Sequence, residues 1–207
     1  MTLAAGLTAA NAAVVVTSIT TDTQVVNPFA GGTVVTAVNV SGTNGSAAVV
    51  NGITFAADTA FSTGNGYTAT GSNLALTGGP GIAAFDATFI NVGNTGQLNG
   101  STIAINANTD YSFEVYLSEL NTGRRADVNY SLNGTLVEDN IVIQANSLTR
   151  ASYTFNSGSN TSFTWNVGSP QLPSPNNGHA HVAAYALYQA VPEPSSTALL
   201  GLGGLAL

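Results

Sequence analysis

Apolar and polar residues alternate with a period of two along much of this chain. In residues 111–117 (YSFEVYL) the odd positions are all apolar or aromatic, whereas the even positions carry Ser, Glu and Tyr. Because successive side chains of a β-strand point to opposite faces of its sheet, this pattern predicts β-strands. About ten segments fit it, at residues 33–40, 53–56, 67–76, 85–92, 111–117, 126–132, 136–143, 151–155, 162–167 and 181–188.

Glycine and asparagine separate these segments and place turns between them. Asn133-Gly134 lies between two alternating runs, which is the strongest local signal for a β-hairpin. Residues 156–160 (NSGSN) are suited to close the next hairpin, so residues 111–167 are predicted to form an antiparallel meander. Residues 168–178 contain three prolines and no alternation, which predicts a long loop. The fold class is therefore predicted to be all-β, a single antiparallel β-sandwich of the jelly-roll type with short apolar segments at both termini.

The alternation also divides residues 111–117 into two faces. The odd-numbered side chains are predicted to lie in the core of the sandwich. The even-numbered side chains, Ser112, Glu114 and Tyr116, are predicted to lie on a face outside that core. Trp165 shares its strand face with two apolar side chains, which favours a core position over a role in stacking on a sugar.

Charge and cysteine content exclude several functions. The net charge is −7, from 10 acidic residues and 3 basic ones. So few cations cannot form the basic surface that neutralises phosphates, so binding to nucleic acid or to anionic lipid headgroups is not expected. The chain contains no cysteine, which excludes disulfides, thiolate zinc sites and a cysteine nucleophile.

Residues 1–13 (MTLAAGLTAANAA) have the composition of an export signal. They are apolar, rich in small residues, and end in an Ala-x-Ala pattern of the kind that signal peptidase accepts. They are interpreted as the remnant of a secretory signal peptide, although a short N-terminal helix is the alternative. The β-sandwich domain is then expected to occupy residues 14–190.

Residues 191–207 form a second distinctive terminal segment. Pro192, Glu193 and Pro194 precede an apolar, glycine-rich run. This segment resembles the PEP-CTERM sorting signal of bacterial surface proteins, in which the same tripeptide precedes a membrane-spanning helix and an arginine-rich cluster. The resemblance implies export, recognition by exosortase-type sorting machinery and membrane contact through the C-terminal segment alone.

The segment differs from that pattern in two respects. Its apolar run is shorter than the roughly 20 residues that span a bilayer, and the arginine-rich cluster is missing. The sorting and anchor segment is therefore expected to be truncated. The alternative is a proline-broken helix that packs on the domain.

Residues 111–143 carry a second resemblance. An aromatic strand ends in an acidic residue and is followed by a loop, an arginine, another strand and Asn-Gly, with Glu119, Arg125 and Asn133-Gly134 at these places. Malectin-like and other galactose-binding-like jelly rolls contain a similar run. The resemblance implies carbohydrate binding at the loops of the sandwich, through aromatic faces and through carboxylates or arginines.

Five residues of this region form the candidate carbohydrate-binding site: Glu114, Tyr116, Glu119, Arg124 and Arg125. The tyrosine ring would offer an apolar platform, and the charged groups would hydrogen-bond to sugar hydroxyls. The alternative is a structural one, in which the acids pair with the arginines across a hairpin. An exposed pair of this kind contributes only about 0 to 1 kcal/mol.

Metal and catalytic motifs are weak. His179 and His181 would point the same way on a strand, but no third ligand is identifiable. No cofactor is predicted, although isolated aspartates leave open a structural calcium ion.

The hypothesis that follows is a non-enzymatic exported protein of the cell envelope or the extracellular space. It carries a PEP-CTERM sorting signal, and its β-sandwich binds extracellular polysaccharide. One alternative is a purely structural protein of the envelope or biofilm matrix without a specific ligand. Another is a glycoside-acting enzyme, which would need two carboxylates facing each other across a cleft.

Overall fold

The fold consists of two β-sheets. A computed structural model describes residues 14–40, 47–58, 68–71, 74, 76–91, 97–119, 125–133, 135–142, 147–168 and 181–191. The larger sheet is built from β1 (Val15–Ile19), β2 (Thr33–Val40), β3 (Ala48–Val50), β4 (Ile53–Asp58), β5 (Thr68–Gly71), β6 (Thr88–Asn91), β9 (Asp110–Glu119), β12 (Ser147–Asn156) and β14 (His181–Gln189). The smaller sheet is built from β7 (Gln97–Asn99), β8 (Ile103–Ala104), β10 (Arg125–Leu132), β11 (Thr135–Val142) and β13 (Ser162–Gly168).

Strand order gives each sheet its centre and its edges. The larger sheet runs β1-β12-β9-β14-β2-β4-β3, with β6 pairing with β14 and β5 pairing with β6. The smaller sheet runs β11-β10-β13-β7, with β8 also on β13. Among the described strands the pairing is antiparallel except between β2 and β4. The predicted all-β, antiparallel sandwich is confirmed.

The core between the sheets is aromatic. Tyr111, Phe113, Val115 and Leu117 of β9 are fully buried there, as the alternation predicts. Trp165 of β13 is also in this core, with its ring centroid 5.6 Å from that of Phe113. The core assignments made from the sequence are therefore confirmed for both strands.

The predicted hairpin at Asn133-Gly134 is confirmed, but the meander is wrong. β10 and β11 pair with Leu132 opposite Thr135, and Asn133 has the left-handed φ of 46° that this turn favours. β9, however, pairs with β12 and β14 of its own sheet rather than with β10. The segment after Asn156 closes no hairpin, because β12 and β13 belong to different sheets. A turn signal shows that the chain reverses, and it does not show which strand the next one joins.

A second apolar cluster covers the other face of the larger sheet. It brings Tyr116 and Tyr188 of the sheet together with Val25, Phe55 and Phe85, which come from residues 20–32, from β4 and from a helix. β14 is consequently buried over eight consecutive residues. A strand buried on both faces reads as a continuous apolar run rather than as an alternation.

The even-numbered face of β9 lies beneath this covering layer. Ser112, Glu114 and Tyr116 are 1%, 2% and 0% exposed, so the prediction that they lie on a face outside the core is wrong. Polar residues at alternate positions indicate a solvated face only when nothing else packs on it. Here residues 20–32 pack on that face. Alternation within one strand cannot reveal whether a distant segment covers it.

Residues 85–92 are predicted as one strand, and the first part of this prediction is also wrong. The chain forms helix α1 (Pro80–Ala87) and then β6. Asp22 caps the helix: its Oδ2 accepts a hydrogen bond from the Gly81 amide at 3.1 Å, and its Oδ1 accepts one from the Ile82 amide at 2.8 Å. A cap supplied from about sixty residues away leaves no local signal in the sequence.

We predict that Asp22→Ala destabilises the protein by about 1 to 2 kcal/mol, because two amides at the start of α1 lose their acceptor. The free energy of unfolding in urea measures this. The control is Thr23→Ala, an exposed position in the same turn, which is expected to be nearly neutral. Equal effects of the two substitutions would contradict the capping role.

Candidate functional site

Glu114 and Tyr116 form the centre of a buried polar cluster on β9. The Tyr116 hydroxyl donates a hydrogen bond to Glu114 Oε2 at 2.6 Å. The Ser152 hydroxyl donates to Oε1 of the same carboxylate at 3.3 Å, and Arg150 Nη1 lies 3.6 Å from that oxygen. The carboxylate is therefore neutralised and hydrogen-bonded inside the protein, as burial of a charge requires.

Arg150 also connects this cluster to residues 20–32, which we call the covering segment because they pack over this face of the larger sheet. Its Nη1 donates a hydrogen bond to the Gln24 carbonyl at 3.0 Å. The Tyr188 hydroxyl is buried beside this cluster and interacts with Tyr116 and with the Glu114 charge. The sequence left open that Glu114 pairs with Arg124 or Arg125 for a structural reason. The structure shows such a pair, but its arginine is Arg150 on the neighbouring strand β12.

Burial dominates the titration of these groups. Loss of solvation raises the pKa of Glu114, against the opposing effects of the Tyr116 hydrogen bond, the Arg150 charge and the Ser152 hydrogen bond. Burial and then the Glu114 charge raise the pKa of Tyr116 and of Tyr188 well above that of free tyrosine. Both tyrosines therefore remain neutral at physiological pH.

Two other residues of the predicted site, Glu119 and Arg125, lie at strand ends. Glu119 is the last residue of β9, in the larger sheet, and Arg125 is the first residue of β10, in the smaller sheet. Arg124 lies outside the described residues, as do Pro192, Glu193 and Pro194 and His179.

An open cleft is present at one end of the sandwich, and sequence reasoning missed it. Its volume is about 480 Å³. Three separate chain segments line it: the covering segment, the turn before β9 and the residues after β14. The lining residues are Pro28, Phe29, Ala30, Asn108, Thr109, Asp110, Ala190 and Val191. Segments this far apart in sequence give no common motif.

The turn before β9 is held rigidly by the chain between β12 and β13. The Ser157 hydroxyl accepts a hydrogen bond from the Thr109 amide at 2.9 Å and donates one to the Asn106 carbonyl at 2.7 Å. Asn108 has a left-handed φ of 51°, and its amide donates to the Gly158 carbonyl. Ser157 is fully buried, so the turn is fixed before any ligand binds.

The cleft combines an apolar ring with polar groups. Phe29 is partly exposed, and its amide donates to Asn27 Oδ1 at 3.0 Å. Asp110 is exposed, and its Oδ1 accepts a hydrogen bond from Asn156 Nδ2 at 2.6 Å. A lining that contains an aromatic residue together with carboxylate and amide groups is suited to a ligand with an apolar ring face and a rim of hydroxyls.

Two kinds of feature are not found in the described part of the chain. Within it, no three His, Asp or Glu side chains come together in a way that could hold a metal ion. None of the helices described there is long and apolar enough to cross a membrane.

Comparison with known proteins shows likeness in fold. No protein-family model matches the sequence, and a search of curated proteins found no relative. The ANX2 ectodomain from Arabidopsis thaliana has a TM-score of 0.53 at 13% identity, covering 78% of this chain and 52% of that one. A structure of the plant peptide RALF23 in complex with FER and LLG2 has a TM-score of 0.54 at 13% identity, covering 77% of this chain and 49% of that one.

A carbohydrate-binding module, CBM6cm-2 from Cellvibrio mixtus lichenase 5A in complex with cellotriose, gives a TM-score of 0.42 at 13% identity, with 77% of this chain and 100% of that one covered. The chain spans about half the length of the two plant structures. At this identity the likeness shows the fold. The two plant structures thus agree with the β-sandwich architecture expected from the sequence.

The raised pKa of Glu114 predicts a dependence of stability on pH. Because the folded protein holds this proton more tightly than the unfolded chain, the stabilisation is complete below the unfolded-state pKa, near 4.3. It is lost as the pH rises through the folded-state pKa. We therefore expect wild type to lose stability relative to Glu114→Gln as the pH rises above about 4.3.

Unfolding free energies of both proteins across this pH range measure the effect. Ser152→Ala removes a hydrogen bond that favours the ionised carboxylate, so it is expected to steepen the loss. The assignment would be contradicted if the free energy of unfolding of wild type, relative to that of Glu114→Gln, stayed constant or rose with pH.

Proposed function

We propose that this chain is an exported, non-enzymatic β-sandwich module that binds neutral extracellular polysaccharide in the cleft at Phe29, Asn108 and Asp110. The observation that carries the proposal is a cleft whose lining combines an aromatic residue, a carboxylate residue and an asparagine, next to a turn that Ser157 holds. These are the groups that recognise a sugar, whose ring has apolar C–H faces and a polar rim.

The size and charge of the cleft limit the class of ligand that it can bind. A volume of about 480 Å³ is within the range of small-ligand sites, and it suits a short stretch of a chain rather than a whole polymer. Asp110 is the charged residue of its lining, in a chain of net charge −7. A polyanionic saccharide would be repelled, so a neutral one is favoured.

We predict that Phe29→Ala and Asp110→Asn each weaken binding about tenfold, the effect of losing one good contact of about 1.4 kcal/mol. Titration calorimetry with a panel of soluble neutral glucans, xylans and galactans measures this. Thr154→Ala is the matched control, because Thr154 is exposed on the same sheet outside the cleft lining.

Saturable binding that both cleft variants leave unchanged would reject this site. Absence of saturable binding to the whole panel would favour the alternative of a structural matrix protein without a specific ligand.

The loop end that carries Glu119, Arg124 and Arg125 is a second candidate place for the ligand. It is favoured by the strand order along the chain, since β9 of the larger sheet ends at Glu119 and β10 of the smaller sheet begins at Arg125. Arg125→Ala and Glu119→Gln belong in the same titration, and loss of binding in them alone would move the site there. Glu114 and Tyr116 would reach a ligand only if residues 20–32 moved, so we assign them to holding that segment.

Export is the other part of the proposal. The apolar residues 1–13 and the Pro-Glu-Pro motif support it, and the two plant structures of similar fold include an ectodomain. We infer that the sorting machinery is of the exosortase type and that residues 191–207 supply the membrane contact. The mature protein would then lie in the envelope or outside the cell.

We predict that Glu193→Ala prevents sorting, so that the protein stays unprocessed in the membrane fraction of a host with an exosortase. Immunoblots of membrane, envelope and medium fractions measure this. Ser196→Ala, outside the tripeptide, is the control and is expected to be sorted like wild type. An identical distribution of Glu193→Ala and wild type would reject the sorting role of the motif.

A further inference from the structure

β1 occupies one end of the larger sheet and has an open edge. One side of it pairs with β12 along its whole length, from Val15 opposite Ser152 to Ile19 opposite Leu148. Among the described strands, none pairs with its other side. The backbone N–H and C=O groups of such an edge are a template for pairing with another chain.

The other edge strands in the described part of the chain are short or charged. β3, β5, β7 and β8 have three, four, three and two residues. β11 is longer, but its sequence includes Glu138 and Asp139. Short length and charge are the usual means by which proteins prevent pairing between edges. β1 has five residues, VVTSI, with no charge and no proline.

Two apolar side chains of β1 are left exposed. Val15 is 59% exposed and Val16 is 38% exposed, whereas Ile19 at the other end of the strand is fully buried. The two exposed valines thus lie at the N-terminal end of this open edge. An uncharged edge with exposed valines is a pairing site rather than a protected edge.

We propose that β1 pairs antiparallel with β1 of a second copy of this chain, about a two-fold axis near Val16. The edge is self-complementary: a second copy presents the same uncharged strand, so the contact brings no like charges together although each copy carries −7. With the axis at Val16, the valines face each other and Val15 faces Thr17, so no like charges meet. The contact closes on itself and joins the two larger sheets into one.

A five-residue edge buries little area, so the dimer is weak and depends on concentration. Sedimentation velocity of the purified protein over a range of concentrations measures it. Val16→Lys places two like charges at the axis and is expected to weaken dimerisation at least about tenfold. Val49→Lys is the matched control, since Val49 is 60% exposed on the edge strand β3.

A second experiment uses the absence of cysteine from the chain. Residues opposite each other on paired strands have Cα atoms about 4.5 to 5.5 Å apart, which a disulfide can bridge. Val16→Cys is therefore expected to form a covalent dimer on mild oxidation, whereas Val49→Cys is expected to form none. Circular dichroism confirms that each variant is folded.

Three results would overturn the proposal. They are a wild-type protein that stays monomeric at all concentrations, a dimer that Val16→Lys leaves intact, and equal cross-linking of Val16→Cys and Val49→Cys. None of these depends on the polysaccharide, so the proposed function is tested separately.

Discussion

Burial of both faces of the larger sheet is the constraint on which the rest of the structure depends. One face packs against the smaller sheet, and the other packs under residues 20–32 and α1, together with buried side chains of β3 and β4 at the end of the larger sheet. The second burial puts a carboxylate, Glu114, inside the protein, where an unpaired charge would be prohibitive. Tyr116, Ser152 and Arg150 make it tolerable. Through Arg150, the same interactions hold the backbone of the covering segment at Gln24.

The candidate cleft follows from that attachment. Phe29 belongs to the covering segment, and the polar groups of the cleft belong to the turn before β9. Neither part makes a site alone, since one supplies the ring and the other the acceptor and the amide. Ser157 fixes the turn from one side, and the buried cluster fixes the covering segment from the other. Little conformational entropy then remains to be lost on binding, which favours affinity from a small contact area.

The sequence predicts those features that depend on neighbours along the chain. The core face of β9, the burial of Trp165 and the Asn133-Gly134 hairpin follow from alternation and turn chemistry, and all three are present. Features that depend on distant segments are not predicted. The cap of α1 comes from Asp22, and the cover over Glu114 comes from residues 20–32. The cleft unites segments about 80 residues apart or more, so no spacing rule could have shown it.

The burial of Glu114 and Tyr116 shows how a correct observation about a shared face leads to a wrong prediction of its exposure. A glutamate and a tyrosine at alternate positions on a strand do share a face, and they are suited to sugar recognition if that face is open. The deciding quantity is whether a further layer covers the face, and β14 carries the relevant signal. Its run HVAAYALY is apolar at nearly every position, which is typical of a strand buried on both sides. Because β9 pairs with β14 in the same sheet, double burial of β14 makes double burial of β9 the expected state.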